Sequence, residues 1–248
     1  NGWICGSGGA IIHTANGGTT WTTQTSSTTV SLRKISFVNT SYGWAIGSSS
    51  TNRVLLETTN GGTTWTALTY TNDVYAEDMK FLSTTEGYIL GEQGELLHTT
   101  DGGTTWIETN IADRDGDGEG DRTTFGFYVD TNKIWAVGED GSIVYYSGSV
   151  NIITNDANWS GHNDVDLSGN AGAMVGDRIL MFDASTNVCN STGCSDGFWF
   201  SMGLEFDEYL YAVDFVSENV GYAVGSGGTI LKYDSSLVAV EPQSDWEL

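Results

Sequence analysis

The densest group of potential ligand side chains lies in the segment DRDGDGEGD, residues 113–121. Its carboxylates alternate along the chain, at Asp113, Asp115, Asp117, Glu119 and Asp121. Alternating carboxylates can converge on one hard cation, and Gly118 at the sixth position permits the sharp bend that a calcium loop needs. The segment therefore predicts a bound calcium ion. The alternative is a solvated acidic loop in which the like charges repel each other.

The same segment resembles the opening of an EF-hand loop, which reads DxDxDGxxD. In that loop the twelfth position is a Glu that binds calcium through both oxygens. Here the twelfth position is Thr124. The resemblance therefore implies that the closing ligand comes from another residue or from water.

Two cysteines lie close together in the run VCNSTGC. Cys189 and Cys194 are separated by four residues, with Gly193 next to the bend, and this spacing allows a disulfide. A bridge would indicate an oxidising compartment, and the alternative is two free thiols. Cys5 lies in the apolar run WIC, which predicts a buried small hydrophobic side chain.

The charge of the chain excludes some classes of partner. Nine Lys and Arg residues stand against 32 Asp and Glu residues, for a formal net charge of -23. Non-specific affinity for nucleic acid comes from neutralising phosphates with basic side chains, so we expect no nucleic-acid partner. No run approaches the roughly 18 apolar residues of a membrane helix, so we also expect no membrane insertion.

The elements that would position these groups come from a repeat. Its most constant string is TANGGTTW at 14–21, TTNGGTTW at 58–65 and TTDGGTTW at 99–106. The three tryptophans stand 44 and 41 residues apart. Each string follows an apolar run such as VLLET at 54–58, and each unit also holds a pair such as ISFV at 35–38 and GWAIG at 43–47. Four short strands with a period in the forties are typical of a β-propeller.

The repeat predicts an all-β fold, a β-propeller of four-stranded antiparallel blades, with essentially no helix. Six apolar runs of one strand type predict six blades, near Ile12, Leu55, Leu97, Val144, Leu180 and Leu231. We interpret residues 1–240 as one propeller domain that carries the insertion 113–121, and residues 241–248 as a tail or linker. The first blade lacks its first strand, which LVAV at 237–240 is predicted to supply; a seventh blade is predicted if residues precede Asn1.

The composition of the constant string predicts a tight turn that is held by side-chain hydrogen bonds. Asn16, Asn60 and Asp101 are each followed by two glycines, which can adopt the positive φ angles of a hairpin corner. An Asp or Asn side chain there can accept hydrogen bonds from backbone N–H groups further along the turn. The tryptophans that end the strings are predicted to bury their rings between strands or blades: Trp21, Trp65 and Trp106. We therefore predict a structural role for the string and no catalytic one.

This string resembles the Asp-box of the BNR repeat, [ST]-x-[DN]-x-G-x-[TS]-W. The repeat occurs in sialidases, in sortilin-type receptors and in the propellers related to the photosystem II assembly factor. The flanking phrases GxGGxIxxTxDGGxTW and IxFVxxxxGWAVG are most similar to those of the last group. For that group the resemblance implies a membrane-protein partner bound through a basic patch, but nine scattered basic residues give no such patch, so the partner's identity is not carried over.

For sialidases the resemblance implies three arginines that clamp the substrate carboxylate. This chain has five arginines, of which Arg114 and Arg122 flank the acidic segment, and it has no FRIP-like phrase. His13 and His98 occupy equivalent repeat positions and are interpreted as ordinary strand residues rather than metal ligands. We therefore expect no enzymatic activity.

The favoured function is a non-enzymatic binding or scaffolding propeller with bound calcium. Family analogy places it outside the cell or at the cell surface, with a protein or glycan partner and self-association as a further option. The alternative is a carbohydrate-active propeller, a glycoside hydrolase or lectin, that uses a central funnel. Both ends of the chain are interpreted as cut from a longer exported protein.

Overall fold

The computed structural model describes residues 1–49, 52–70, 74–111, 124–130, 133–139, 142–148, 150–155, 161–169, 171–177, 179–190, 193–201, 209–235 and 246–247. The acidic segment 113–121 and the run 237–240 lie outside these ranges. The chain divides into two compact units. Among the described residues, the first unit holds sheets 1 to 3 and the second holds sheets 4 to 6.

Sheet 1 has three strands, and sheets 2 and 3 have four each, paired in chain order. Sheet 1 contains β1 Gly2–Cys5, β2 Ile11–Thr14 and β3 Thr22–Gln24. Sheet 2 contains β4 Leu32–Phe37, β5 Gly43–Ser48, β6 Arg53–Thr58 and β7 Thr66–Leu68. Sheet 3 contains β8 Ala76–Phe81, β9 Gly87–Gly91, β10 Glu95–Thr99 and β11 Ile107–Asn110.

Each sheet of the second unit has four strands, again in chain order. Sheet 4 contains β12 Thr124–Asp130, β13 Lys133–Gly138, β14 Ser142–Tyr146 and β15 Val150–Asn155. Sheet 5 contains β16 His162–Ser168, β17 Ala171–Gly176, β18 Ile179–Asn190 and β19 Gly193–Ser201. Sheet 6 contains β20 Leu210–Ser217, β21 Val220–Gly225, β22 Ile230–Asp234 and β23 Trp246–Glu247.

All strand pairs within these sheets are antiparallel. The only helical elements in the described part of the chain are two three-residue 3-10 turns, Ser7–Gly9 and Ser226–Gly228. The all-β prediction with four-stranded sheets is therefore confirmed. The number of blades remains a prediction.

Neighbouring sheets in each unit share an apolar core because both faces of a middle sheet are apolar. In sheet 2, for example, Trp44, Ile46 and Leu55 face sheet 3, whereas Ala45 and Leu56 face sheet 1. Alternate residues of a strand point to opposite faces, so a near-continuous apolar run such as WAI or VLL fills two interfaces at once. The same arrangement joins sheets 4 and 5 and sheets 5 and 6.

A glycine at the start of the second strand makes room for an aromatic ring. A Cβ atom on Gly43 would collide with the ring of Phe37, and a Cβ on Gly87 would collide with Phe81. Each pair sits opposite across the first two strands of its sheet. The phrase in which FV or FL is followed five residues later by GW or GY therefore encodes a Phe ring that lies over a glycine.

Candidate functional site

The Asp-box corners are the polar sites that the sequence singled out, and the second copy shows their geometry. The hydroxyl of Thr58 accepts a hydrogen bond from the buried Gly62 N–H at 2.8 Å and donates one to Asn60 Oδ1 at 3.1 Å. Asn60 Oδ1 also accepts from the Thr64 N–H at 2.9 Å. The two side chains thus bind two backbone N–H groups of the turn and are hydrogen-bonded to each other.

The other two copies repeat this geometry closely. Gly18 N–H donates to the Thr14 hydroxyl at 2.9 Å, and Gly103 N–H donates to the Thr99 hydroxyl at 2.9 Å. The N–H groups of Thr20 and Thr105 donate to Asn16 and Asp101 at 2.9 and 2.8 Å. The predicted fastening by Asn or Asp is therefore present, and the buried Thr at the first position of the string shares it.

Asn and Asp are interchangeable in the corner because the second polar atom of either side chain contacts a Thr hydroxyl. Asn60 Nδ2 donates to the Thr64 hydroxyl at 2.9 Å, whereas the Thr105 hydroxyl turns and donates to Asp101 Oδ2 at 2.6 Å. Hydrogen bonds from the side chain and backbone of Thr105 lower the pKa of Asp101 below its ordinary value. A hydroxyl can serve as donor or acceptor, so either residue type completes the turn.

The corner also anchors the preceding sheet. Trp3 Nε1 of sheet 1 donates to the Gly61 carbonyl in the corner of sheet 2 at 3.2 Å, and Trp44 Nε1 of sheet 2 donates to the Gly102 carbonyl in sheet 3 at 3.1 Å. Both pairs are 58 residues apart. Sequence reasoning missed this bond, although the equal spacing of the two Trp and Gly pairs was a signal for it.

Aromatic rings reinforce the same junctions. The rings of Trp3 and Phe37 stack with centroids 3.7 Å apart, as do those of Trp44 and Phe81. The Asp-box rings Trp65 and Trp106 meet these phenylalanines edge to face. Such contacts contribute about 0.5–1.5 kcal/mol each beyond the area they bury.

The three Asp-box tryptophans do not share one environment. Trp65 is buried and Trp106 is half-buried, as predicted, whereas Trp21 is 40% exposed. Sheet 1 begins at the strand equivalent to β5, so it has no Phe strand beside Trp21. In the described part of the chain, the Asn, Asp and first Thr side chains of the three strings make hydrogen bonds within their own turns.

The equivalent histidines have separate surroundings. His13 stacks on Trp3 at 4.8 Å and lies 3.0 Å from Asn1 Oδ1. His98 stacks on Tyr88 at 4.4 Å and lies 3.5 Å from Glu86. No group of three or more His, Cys, Asp or Glu side chains in the described ranges is placed to hold a metal ion.

Two basic side chains of β4, the edge strand of sheet 2, form ion pairs with β8 of sheet 3. Arg33 pairs with Glu77, and Lys34 lies 3.2 Å from Asp78. Burial raises the pKa of Glu77, although Arg33 acts in the opposite direction. These ion pairs join neighbouring sheets and neutralise the two cations locally.

Arg53, the first residue of β6, is the second of the two described arginines. Its Nε donates to the Val74 carbonyl at 3.0 Å. Its guanidinium lies over the ring of Tyr75, 4.4 Å from the centroid. Arg114, Arg122 and Arg178 lie outside the described residues, so the described part of the chain does not form a three-arginine clamp.

Carboxylates in the second unit serve as backbone acceptors between sheets. Asp164 Oδ2 accepts from the Val213 N–H at 3.0 Å, and Asp166 Oδ2 accepts from the Phe215 N–H at 2.6 Å. In the first unit Ser36 plays the same part for the Phe81 N–H at 3.0 Å. These aspartates therefore connect sheet 5 to sheet 6, a role that the divergent sequence of this blade did not suggest.

Two predicted sites stay predictions. The calcium ligands Asp113, Asp115, Asp117, Glu119 and Asp121 lie outside the described residues. The backbone register of β18 and β19 places Cys189 directly opposite Cys194. Opposed residues of an antiparallel pair have Cα atoms about 4.5–5.5 Å apart, a separation that a disulfide spans.

Comparisons with known proteins identify the fold. The family model described as photosynthesis system II assembly factor YCF48 matches residues 23–117. A solved structure titled YCF48 bound to D1 peptide is 16% identical, covers 99% of this chain and 76% of its own, and has a TM-score of 0.68. YCF48 from Cyanidioschyzon merolae is 17% identical, covers 94% of this chain and 91% of its own, and has a TM-score of 0.50. The search of curated proteins found no match.

These comparisons correct one prediction. An extracellular or cell-surface location is wrong, because the matching family and structures are assembly factors of photosystem II and not secreted surface proteins. Among the described helices none has the length and apolar composition needed to cross a membrane. The chain is a BNR-type β-propeller similar to the photosystem II assembly factor YCF48.

Proposed function

We propose that this propeller is a non-enzymatic protein-binding scaffold. The observation that carries the proposal is the match to YCF48, one structure of which holds a D1 peptide. The corner geometry supports it, because the repeated polar residues are engaged in fastening turns and sheets. Asp164 and Asp166 likewise bind backbone N–H groups.

Charge defines the kind of protein partner. The net charge is -23, and at the edge of sheet 2 the cations Arg33 and Lys34 are paired with carboxylates. Complementary charge increases the rate of encounter and disfavours partners of the same sign. The partner is therefore a protein segment with a net positive charge, and its binding weakens as salt is added.

Fluorescence anisotropy tests this proposal. The probes are the labelled D1 peptide, a version with added lysines and a matched version with added glutamates, each titrated at low and high salt. We expect the lysine version to bind at least ten-fold more tightly than the glutamate version at low salt. Equal affinity of the two charged versions, or no binding by any of them, would overturn the proposal.

Bound calcium at residues 113–121 is a finer part of the same proposal. Its support is the alternation of five carboxylates around Gly118 and the preference of calcium for oxygen ligands.

The rival function, a carbohydrate-active propeller, makes a different prediction. A panel of chromogenic glycosides and a glycan array should give no signal for a protein-binding scaffold. Cleavage of any glycoside at micromolar protein would favour the enzyme instead.

A further inference from the structure

The second Asp-box corner contains an Asn-Gly dipeptide, Asn60–Gly61. In such a dipeptide the glycine nitrogen can attack Cγ of the asparagine, because a residue without Cβ leaves the approach open. A bond forms between this nitrogen and Cγ, and the proton of the glycine N–H leaves with the side-chain nitrogen as ammonia. Water then opens the cyclic imide at one of its two carbonyl carbons, which leaves aspartate or isoaspartate at position 60.

The aspartate product has a precedent in the same protein. Asp101 occupies the equivalent position of the third corner, where its two carboxylate oxygens accept from the N–H of Thr105 at 2.8 Å and from the hydroxyl of Thr105 at 2.6 Å. Aspartate at position 60 can complete the second corner in the same way, with the Thr64 hydroxyl turned into a donor. Isoaspartate adds a carbon atom to the main chain and therefore does not fit the turn.

In the folded corner the attacking nitrogen is held by a hydrogen bond. The Gly61 N–H donates to the Ser41 carbonyl, in the loop between β4 and β5 of the same sheet, at 2.8 Å. A Cβ atom on Gly61 would lie 2.7 Å from the Thr40 carbonyl oxygen, so the glycine packs directly against this loop. The nitrogen can attack only after it has given up its proton, and the bond to Ser41 retains that proton.

The carbonyl of the same glycine is held by sheet 1. It accepts from Trp3 Nε1 at 3.2 Å and from Gln24 Nε2 at 2.8 Å. The third corner repeats the bond on the N–H side, because the Gly102 N–H donates to the Thr85 carbonyl at 2.8 Å. The glycine that follows the Asn or Asp residue is therefore fixed by the loop of its own sheet in both corners.

The side chain of Asn60 is fixed as well. Its Oδ1 accepts from the Thr64 N–H at 2.9 Å and from the Thr58 hydroxyl at 3.1 Å. Its Nδ2 donates to the Thr64 hydroxyl at 2.9 Å. Ring closure moves Cγ toward the Gly61 nitrogen and releases Nδ2, so the reaction breaks these bonds. Water nevertheless has access, since Asn60 is exposed.

We propose that Asn60 is a site of spontaneous deamidation and that opening of the Asp-box corner sets its rate. Local opening of this kind precedes global unfolding in many proteins. The modification converts the neutral form of the corner into the acidic form that Asp101 represents, and it adds one negative charge to a chain whose net charge is -23. The charge at position 60 therefore reports how often the corner of sheet 2 has opened.

The deamidation rates of the folded and the unfolded protein test the proposal. The wild type is incubated in mildly alkaline buffer with and without unfolding concentrations of urea. Peptide mapping by liquid chromatography and mass spectrometry follows Asn60 separately from Asn16, which also precedes a glycine. We expect Asn60 to react about ten-fold or more slowly in the folded protein. Equal rates in the two states, or no reaction of Asn60 in the unfolded protein, would overturn the proposal.

Variants of the corner separate local opening from unfolding of the whole chain. Thr58→Val removes the acceptor of the Gly62 N–H and the donor to Asn60, so Asn60 should react about five-fold or more faster than in the wild type. Thr63→Val is the matched control, because the Thr63 hydroxyl donates only to the Asn60 carbonyl, and it should react like the wild type. Circular dichroism establishes that both variants are folded. An unchanged rate in Thr58→Val, or the same increase in both variants, would contradict gating by the corner.

Asn60→Asp tests whether the product fits. Since Asp101 already completes an equivalent turn, the variant should have a Tm within about 2 °C of the wild type. Chromatography against synthetic aspartyl and isoaspartyl peptides identifies the two products of the wild type. A larger fall in the Tm of Asn60→Asp would refute the conversion of one working corner into another.

Discussion

Replacing Thr58 with Val tests whether the corner hydroxyl stabilises the fold. The substitution keeps the shape of the side chain but removes the acceptor of the buried Gly62 N–H at 2.8 Å and the donor to Asn60 at 3.1 Å. Leaving a buried backbone donor without a partner costs about 1–3 kcal/mol. We expect a loss of about 2 kcal/mol in the free energy of unfolding, or a fall of about 4–8 °C in Tm for a domain of this size.

The matched control is Thr63→Val in the same turn. Thr63 is exposed, and its hydroxyl donates only to the Asn60 carbonyl at 3.1 Å, so we expect a loss of about 0.5 kcal/mol or less. Urea unfolding followed by the fluorescence of the nine tryptophans gives both values. If the two variants lose the same stability, the hydroxyl is not the centre of the corner and the reasoning fails.

Three further predictions concern other sites. The lowered pKa of Asp101 means that the ionised carboxylate stabilises the fold fully above its ordinary pKa, and that this effect is lost as the pH falls through the pKa of the folded state. The stability of Asp101→Asn should therefore depend less on acid than that of the wild type. Parallel plots of unfolding free energy against pH for the two proteins would contradict this. Addition of a chelator should lower the Tm if residues 113–121 bind calcium, and an unchanged midpoint with no calcium by metal analysis would count against the site. A Cys189–Cys194 bridge should reduce the intact mass by two hydrogens, whereas Cys5, whose pKa burial raises to about 11, should stay a slowly reacting thiol at neutral pH.

The local structure of the first three blades could be predicted because residue type determines it directly. The Asn-Gly-Gly and Asp-Gly-Gly corners require positive φ, and Gly61 and Gly62 have φ values of 69° and 85°. The apolar runs that precede them form β2, β6 and β10 as expected. These features depend only on residues that lie within one repeat unit, so the sequence of that unit is enough to predict them.

The contacts between sheets were harder to predict because they join residues far apart in sequence. The bond from Trp3 to Gly61 depends on how sheet 1 is placed on sheet 2, and the exposure of Trp21 depends on a strand that sheet 1 lacks. In the second unit Asp166 accepts the hydrogen bond from Phe215 that Ser36 accepts from Phe81 in the first unit, and Asp164 adds a second such bond from Val213. The location failed for another reason: it rested on analogy with exported propellers of similar repeat sequence, and a shared fold does not determine a compartment.

The indole bonds between consecutive sheets also bear on how the first unit opens. If sheet 2 separates from sheet 1, the hydrogen bond from Trp3 to the Gly61 carbonyl and the stacking of Trp3 on Phe37 break together. Partial detachment of one blade therefore costs both contacts. We expect the amide protons of adjacent blades to exchange with solvent as one cooperative group. The contacts of one Asp-box corner thus influence whether the first unit unfolds one blade at a time or cooperatively.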